Sequence, residues 1–237
     1  MLDRTGCLLN KHLVEQYQPW VNPVLAHMLY RQYGRETRMI IDMGTGPGFL
    51  SLEMARLFQA EVYAVDYNPV MLALATELFH KAQIPNITPV LDDVQHLTFA
   101  NDCTDVLVSY SCFHHWADPI KGLRECYRVL RPGGTMIIID SMPTEEMALD
   151  LLRKKIDNPQ VLALLEKAIR ESYAKSEVEQ ITRQAGITRF CLDDFQFAME
   201  DIIACMDVID ESTLLDEPHE DISLSWKLVI EKPDTSL

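Results

Sequence analysis

Ile40-Ile41-Asp42-Met43-Gly44-Thr45-Gly46-Pro47-Gly48-Phe49-Leu50 is an apolar run closed by a carboxylate, then three glycines at alternate positions, then the start of a helical pattern. Glycines so placed permit a tight turn with close backbone approach to a ligand. They also deliver the chain to a helix N-terminus, whose free N–H groups attract a carboxylate or phosphate. A strand, a glycine turn and a helix in that order open a βαβ unit. Without further support, the same pattern also fits a turn that binds nothing.

The rhythm continues downstream. Glu61 to Val65 runs to Asp66 and a helix over Val70–Lys81, Ile87 to Leu91 is a weaker strand, and Val106 to Val108 leads through a loop to a helix over Pro119–Leu130. Thr135 to Ile139 closes the series. Short unbroken apolar strands alternating with helices predict a parallel sheet covered on both faces.

Upstream, residues 1 to 37 read as two short helices with a bend at Pro19 and Pro23. Downstream, residues 145 to 185 read as two helices separated at Asn158-Pro159, and Ile187–Phe197 and Leu224–Ile230 read as strands at one sheet edge. Between Phe190 and Trp226 there is no Lys or Arg, although apolar residues are interleaved with the acids. The acidic stretch 193 to 221 is therefore expected to pack partly, with its charges facing solvent or a partner subunit. The reading is one domain over 1–237: a helical lid (1–37), a cofactor-binding core (38–140) and acceptor-covering helices and edge strands (141–237).

Of 237 residues, 48% are hydrophobic and 24% charged, which excludes disorder and fibrous folds. The formal net charge of −15 repels polyphosphate chains and anionic lipid surfaces, so neither nucleic acid nor membrane is expected as a partner. The six cysteines form no CxxC pair, and no basic-then-apolar leader or long apolar span is present, so the expected location is cytoplasmic.

Two carboxylates narrow the ligand. Asp42 stands two positions before the first glycine, where a dinucleotide-binding loop is normally apolar, and a carboxylate there favours a cationic group over a pyrophosphate. Asp66 closes the next strand 18 residues after Gly48, placed to accept hydrogen bonds from ribose hydroxyls. A nucleoside without phosphates, carrying a zwitterionic end, fits both. S-adenosylmethionine is such a molecule.

From about Met39 to Asp140 the sequence resembles the class I S-adenosylmethionine-dependent methyltransferases, in particular the small-molecule group that includes the ubiquinone and menaquinone C-methyltransferases. Asp42 to Gly48 resembles the first motif, which holds the methionine end of the cofactor, with Gly44, Thr45, Gly46 and Gly48 in the loop. Asp66-Tyr67-Asn68-Pro69 resembles the second, implying Asp66 on ribose and Tyr67 beside adenine. Asp92-Asp93-Val94-Gln95-His96-Leu97-Thr98-Phe99 is similar to the third. There the resemblance implies Asp93 on the adenine amino group and the Val94 N–H on a ring nitrogen. Asp92 stands where a glycine is usual, which leaves either carboxylate to face adenine. Thr104 to Ser109 resembles the fourth strand, with Ser109 implied beside the cofactor, and Arg128 to Gly134 the turn into the fifth.

The resemblance implies an α/β, Rossmann-like, seven-stranded, mostly parallel sheet with a reversed last strand, nominated as Leu224–Ile230. It also implies methyl transfer to a small organic acceptor. Tyr110, His114 and His115, just past the fourth strand, are the candidate catalytic residues, with a histidine as base if the acceptor must lose a proton. Tyr17 and Trp20 are candidate lid aromatics, although packing onto the sheet explains them as well. Pairing the histidines with the Asp216–Asp221 run as a metal site has no supporting ligand spacing, so no metal is expected. The alternatives are a cofactor-binding protein with regulatory or non-methylating chemistry, and a nicotinamide-dependent oxidoreductase. Asp42 and the Asp93 motif argue against the second.

Overall fold

The computed structural model describes residues 2–144, 146–207 and 225–234, excepting the side chains of residues 147, 148 and 151. Helices α1 (Arg4–Tyr17) and α2 (Val21–Tyr33) precede β1 (Met39–Met43), α3 (Phe49–Leu57), β2 (Glu61–Asp66), α4 (Pro69–Ala82) and β3 (Ile87–Leu91). Then come β4 (Thr104–Tyr110), α5 (Pro119–Val129), β5 (Leu130–Ser141), α6 (Glu146–Lys155), α7 (Pro159–Glu171) and α8 (Lys175–Gln184). The last described elements are β6 (Cys191–Phe195), α9 (Met199–Ala204) and β7 (Ser225–Glu231).

Among the described residues the strands form one seven-stranded sheet in the order β3-β2-β1-β4-β5-β7-β6. The pairs β3·β2, β2·β1, β1·β4 and β4·β5 are parallel, while β7 is antiparallel to both β5 and β6. The expected Rossmann-like sheet and its reversed strand are both present. Consecutive residues explain why the strands read as continuous apolar runs. Ile40, Val62, Val108 and Ile139 face a core built with α2, α3 and α4, whereas Ile41, Val65, Leu107 and Ile138 face another containing Leu123 and Val129 of α5 and Val178 of α8. Both faces are buried, so alternation disappears from the sequence.

Helix boundaries follow local chemistry. Asn68, Asp118 and Asn158 cap α4, α5 and α7 with side-chain oxygens, and each is followed by proline at the first helical position. The region predicted as two helices over 145 to 185 contains three. Its extra break, at Ser172-Tyr173-Ala174, has neither proline nor glycine and is a tertiary effect. Ser172 Oγ closes α7 by donating to the Ala168 carbonyl at 2.7 Å, and the Tyr173 carbonyl accepts from Trp226 Nε1 at 3.0 Å. The Tyr173 ring meets Phe113 edge-on at 5.6 Å.

The acidic segment is also not wholly solvated. Asp193, Asp194, Glu200 and Asp207 are exposed, as expected, but Asp201 is only 1% exposed. It lies 3.0 Å from Arg31 Nη2 and 3.4 Å from His27 Nδ1, joining α9 to α2. A buried carboxylate is tolerated there because the guanidinium accompanies it. Residues 208–221 of that segment, including the Asp216–Asp221 run, lie outside the described residues.

Trp226 is fully buried on the reversed strand, edge-on to Phe113 at 5.4 Å. Trp226→Ala should lower unfolding free energy by about 3–5 kcal/mol in urea melts. A loss below about 1 kcal/mol would mean that β7 does not carry the core in this way.

Candidate active site

Strand β1 lies between β2 and β4, so the chain leaves the neighbouring ends of β1 and β4 in opposite directions and opens a crevice beyond their carboxyl ends. A cavity of about 720 Å³ occupies it. Asp42, the glycine loop, Asp66, Tyr67 and Met71 line one part; Tyr110, Ser111, Cys112, His115 and Asp140 line the ends of β4 and β5. Helix α1 and the following bend cover it with Leu13, Val14 and Trp20, α6 and α7 with Leu152 and Leu165, and the β6–α9 segment with Phe195, Phe197 and Ile202.

The three loop glycines serve different purposes. Each has positive φ, at 77°, 54° and 90° for Gly44, Gly46 and Gly48. A Cβ on Gly44 would meet Cys112 Sγ at 2.0 Å, and one on Gly48 would meet the Phe79 ring at 2.7 Å. Both positions are therefore packing contacts, one with the turn after β4 and the other with α4. At Gly46 the nearest atom is 3.9 Å away, so the backbone there faces the cavity. The Gly44 and Thr45 N–H groups donate to the Val65 carbonyl at 2.8 and 2.9 Å, which anchors the loop to β2.

Asp66, 7% exposed, accepts from the Gly46 N–H at 2.9 Å and the Asn68 N–H at 2.8 Å. One carboxylate thus joins the glycine loop to the turn after β2. Burial raises its pKa, and these N–H donors oppose the rise. Asp42 is 1% exposed and accepts from Ser51 Oγ at 2.5 Å, with Thr45 Oγ1 2.9 Å from the same hydroxyl. Burial pushes Asp42 up to about 6, against those hydroxyls. No Lys, Arg or His ion pair involving it is found among the described residues, which leaves a buried anion suited to a cationic ligand.

Of the candidate catalytic residues, Tyr110 and His115 line the cavity, while the His114 side chain is 1% exposed and bonded to Asp140. Burial, then proximity to His114, pushes His115 down to about 4, so it is a neutral imidazole at pH 7. Burial raises the Tyr110 phenol and the Cys112 thiol, keeping both protonated. Ser109 is fully buried, and neither it nor Gly48 lines the cavity.

Asp93 and Val94 follow β3 and also lie outside the cavity lining. Asp92 accepts from the Thr98 N–H and hydroxyl, both at 2.8 Å, and Asp93 from the Gln95 N–H at 2.9 Å. The Asp92 carboxylate is therefore committed to its own turn. Trp20 lines the cavity and meets Phe197 at 5.2 Å, whereas Tyr17 packs with Leu13, Ile156 and Val161 and donates to Asp157. Asp140 was not singled out from the sequence. The signal was available: it closes an apolar strand just as Asp42 and Asp66 do. Nothing in the sequence marked Leu13 or Val14 as cavity residues.

Residues 41–138 match the family model described as "Methyltransferase domain". The matched residues are a methyltransferase domain, on the fold shared with solved S-adenosylmethionine-dependent methyltransferases. The 2-methyl-6-phytyl-1,4-hydroquinone methyltransferase 2, chloroplastic, of Oryza sativa subsp. japonica is 35% identical over 108 residues, covering 45% of this chain and 30% of the rice protein. Demethylmenaquinone methyltransferase of Protochlamydia amoebophila is 29% identical over 207 residues, covering 73% of this chain and 83% of the relative. A solved S-adenosylmethionine-dependent methyltransferase from Aquifex aeolicus superposes with a TM-score of 0.64 at 19% identity, covering 98% of this chain and 99% of that one. That last likeness concerns the fold.

S-adenosyl-L-methionine is the cofactor that the resemblance of the sequence motifs implies for this methyltransferase domain. The site fits it on two observations: open space over Gly46, and a buried Asp42 with no cationic partner among the described residues. An ammonium group beside Asp42 would favour its ionised form, so affinity should depend on pH. Binding of S-adenosylhomocysteine, measured by calorimetry, should be constant well above pH 6 and weaken by up to about tenfold per unit below it. Asp42→Asn should remove that dependence; an unchanged pH profile in the variant would show that another group governs it.

Proposed function

We propose that this protein transfers the methyl group of S-adenosylmethionine to a small, largely apolar organic acceptor of the hydroquinone type, and that it does so as a soluble cytoplasmic enzyme. The observation that carries the reading is the single cavity shared by the glycine loop and an apolar wall of Leu13, Trp20, Leu165, Phe195 and Phe197. About 720 Å³ is room for more than a nucleoside. The hydroquinone class is supported by the name of the rice relative, and the name of the Protochlamydia relative supports an acceptor of the related quinone series. Absence of any disulfide among the six cysteines agrees with a reducing compartment, and no helix among the described residues is long and apolar enough to cross a membrane.

In this reading Asp42 holds the ammonium end of the cofactor, Gly46 gives it backbone access, Asp66 takes the ribose and Tyr67 lies beside adenine, whose outer edge reaches past the cavity lining toward Asp93 and Val94. When bound, the cofactor would supply an electrophilic methyl group to an electron pair on carbon or a heteroatom of the acceptor, whose displaced proton would leave to water. The protein's contribution is alignment and exclusion of water. Helices α1, α6 and α7 act as the cover that provides both. Neutral His115 accepts a hydrogen bond from the acceptor and draws it toward the methyl group. An imidazole with a pKa of about 4 is a weak base, so transfer relies on orientation more than on prior proton removal.

The test is incubation with methyl-labelled cofactor and 1,4-dihydroxynaphthalene under anaerobic conditions, with product analysis by mass spectrometry. Label in the naphthalene product, and its loss in Asp66→Ala through cofactor affinity weakened by about 1.5–3 kcal/mol, is the expected result. S-adenosylhomocysteine binding without transfer to any hydroquinone would reject this acceptor class. Failure to bind S-adenosylhomocysteine would reject the function itself.

A further inference from the structure

We infer that Asp140 is a positioning residue: from the tip of β5 it sets the tautomer of His114 and so fixes the turn that carries Cys112 and His115 into the cavity wall. The inference rests on the functional reading above only in taking that wall as the acceptor side. Asp140 is 1% exposed and is met by donors alone. His114 N–H reaches Oδ2 at 2.9 Å, His114 Nδ1 lies 2.8 and 3.0 Å from the two oxygens, and Ser141 N–H reaches Oδ1 at 2.7 Å.

An ionised carboxylate only accepts hydrogen bonds, so this arrangement requires a proton on Nδ1, and in the neutral ring the lone pair then lies on Nε2. His114 Nε2 is buried and has no protein partner. The pair therefore defines both ring orientation and tautomer, as a buried carboxylate does for a histidine in other sites.

The turn it holds needs holding. Ser111, a residue with a Cβ, has a φ of 52°, in the left-handed region, and its N–H is tied to the Ile139 carbonyl at 2.9 Å. Cys112 Sγ occupies the space that a side chain at Gly44 would need, so the same turn leans on the cofactor loop. The His115 ring sits 4.0 Å, centroid to centroid, from that of His114. A carboxylate that grips both the main chain and the ring of His114 thereby fixes the Cys112 and His115 contacts together. Asparagine at 140 would turn an amide NH2 against at least one existing donor.

Three variants test this, with the intact chain throughout. His114→Asn keeps a donor near the Nδ1 position but removes the ring beside His115, so S-adenosylhomocysteine affinity should stay within about threefold while kcat falls, and falls less than in His114→Gln. His114→Gln and Asp140→Asn should keep that affinity within about threefold while lowering kcat for 1,4-dihydroxynaphthalene tenfold or more with little change in KM. Long-range proton–nitrogen NMR should show His114 protonated at Nδ1 in the natural protein and at Nε2 in Asp140→Asn. An Nε2-protonated His114 in the natural protein, or a spectrum unmoved by Asp140→Asn, would overturn the inference even if no hydroquinone is methylated. Loss of S-adenosylhomocysteine binding by the natural protein would instead strike the functional reading and leave the tautomer result standing.

Discussion

Buried carboxylates at the carboxyl ends of parallel strands organise this molecule. Asp42, Asp66 and Asp140 end or nearly end β1, β2 and β5, each is at most 7% exposed, and each receives protein hydrogen-bond donors. Burying such a group is unfavourable unless donors converge on it. The backbone must accordingly bend to supply N–H groups at these points. Asp66 draws in Gly46 and Asn68, and Asp140 draws in His114 and Ser141. Asp42 differs, because its protein donors are the Ser51 hydroxyl and, beside it, Thr45. That difference makes it the place where a ligand's positive charge is most favourable.

Packing of the cover follows from the same layout. The crevice at the β1–β4 switch is roofed by elements from opposite ends of the chain, α1 and α2 on one side, α6, α7 and α9 on the other. These meet through a small cluster of Leu13, Ile156 and Val161, apart from the two main cores, and through the Trp20–Phe197 contact at the edge of one of them. The sheet carries the larger apolar clusters, so the roof contributes less to global stability than the platform beneath it. An enzyme whose acceptor must enter and leave benefits from that division.

Strand order and site location were legible in the sequence to different degrees. Apolar runs followed by Asp42 and Asp66, and the glycine spacing between them, pointed directly to the sheet and the cofactor crevice because those signals are local. The Ser172–Ala174 break was invisible because Tyr173 is turned by Trp226, 53 residues away. The link between His114 and Asp140 spans 26 residues and depends on adjacent strand ends, which no spacing rule conveys. Asp201 looked like one more solvated acid because Arg31, the partner that makes its burial tolerable, is 170 residues distant. Local chemistry was readable, and contacts created by chain reversal were not.

The most direct measurement is a crystal structure of the protein with S-adenosylhomocysteine bound. The account predicts the aminoacyl end over Gly46 with its ammonium at Asp42, the ribose at Asp66, and the sulfur facing the wall of Tyr110 and His115. A glycine loop left empty, or occupied by a diphosphate, would contradict it.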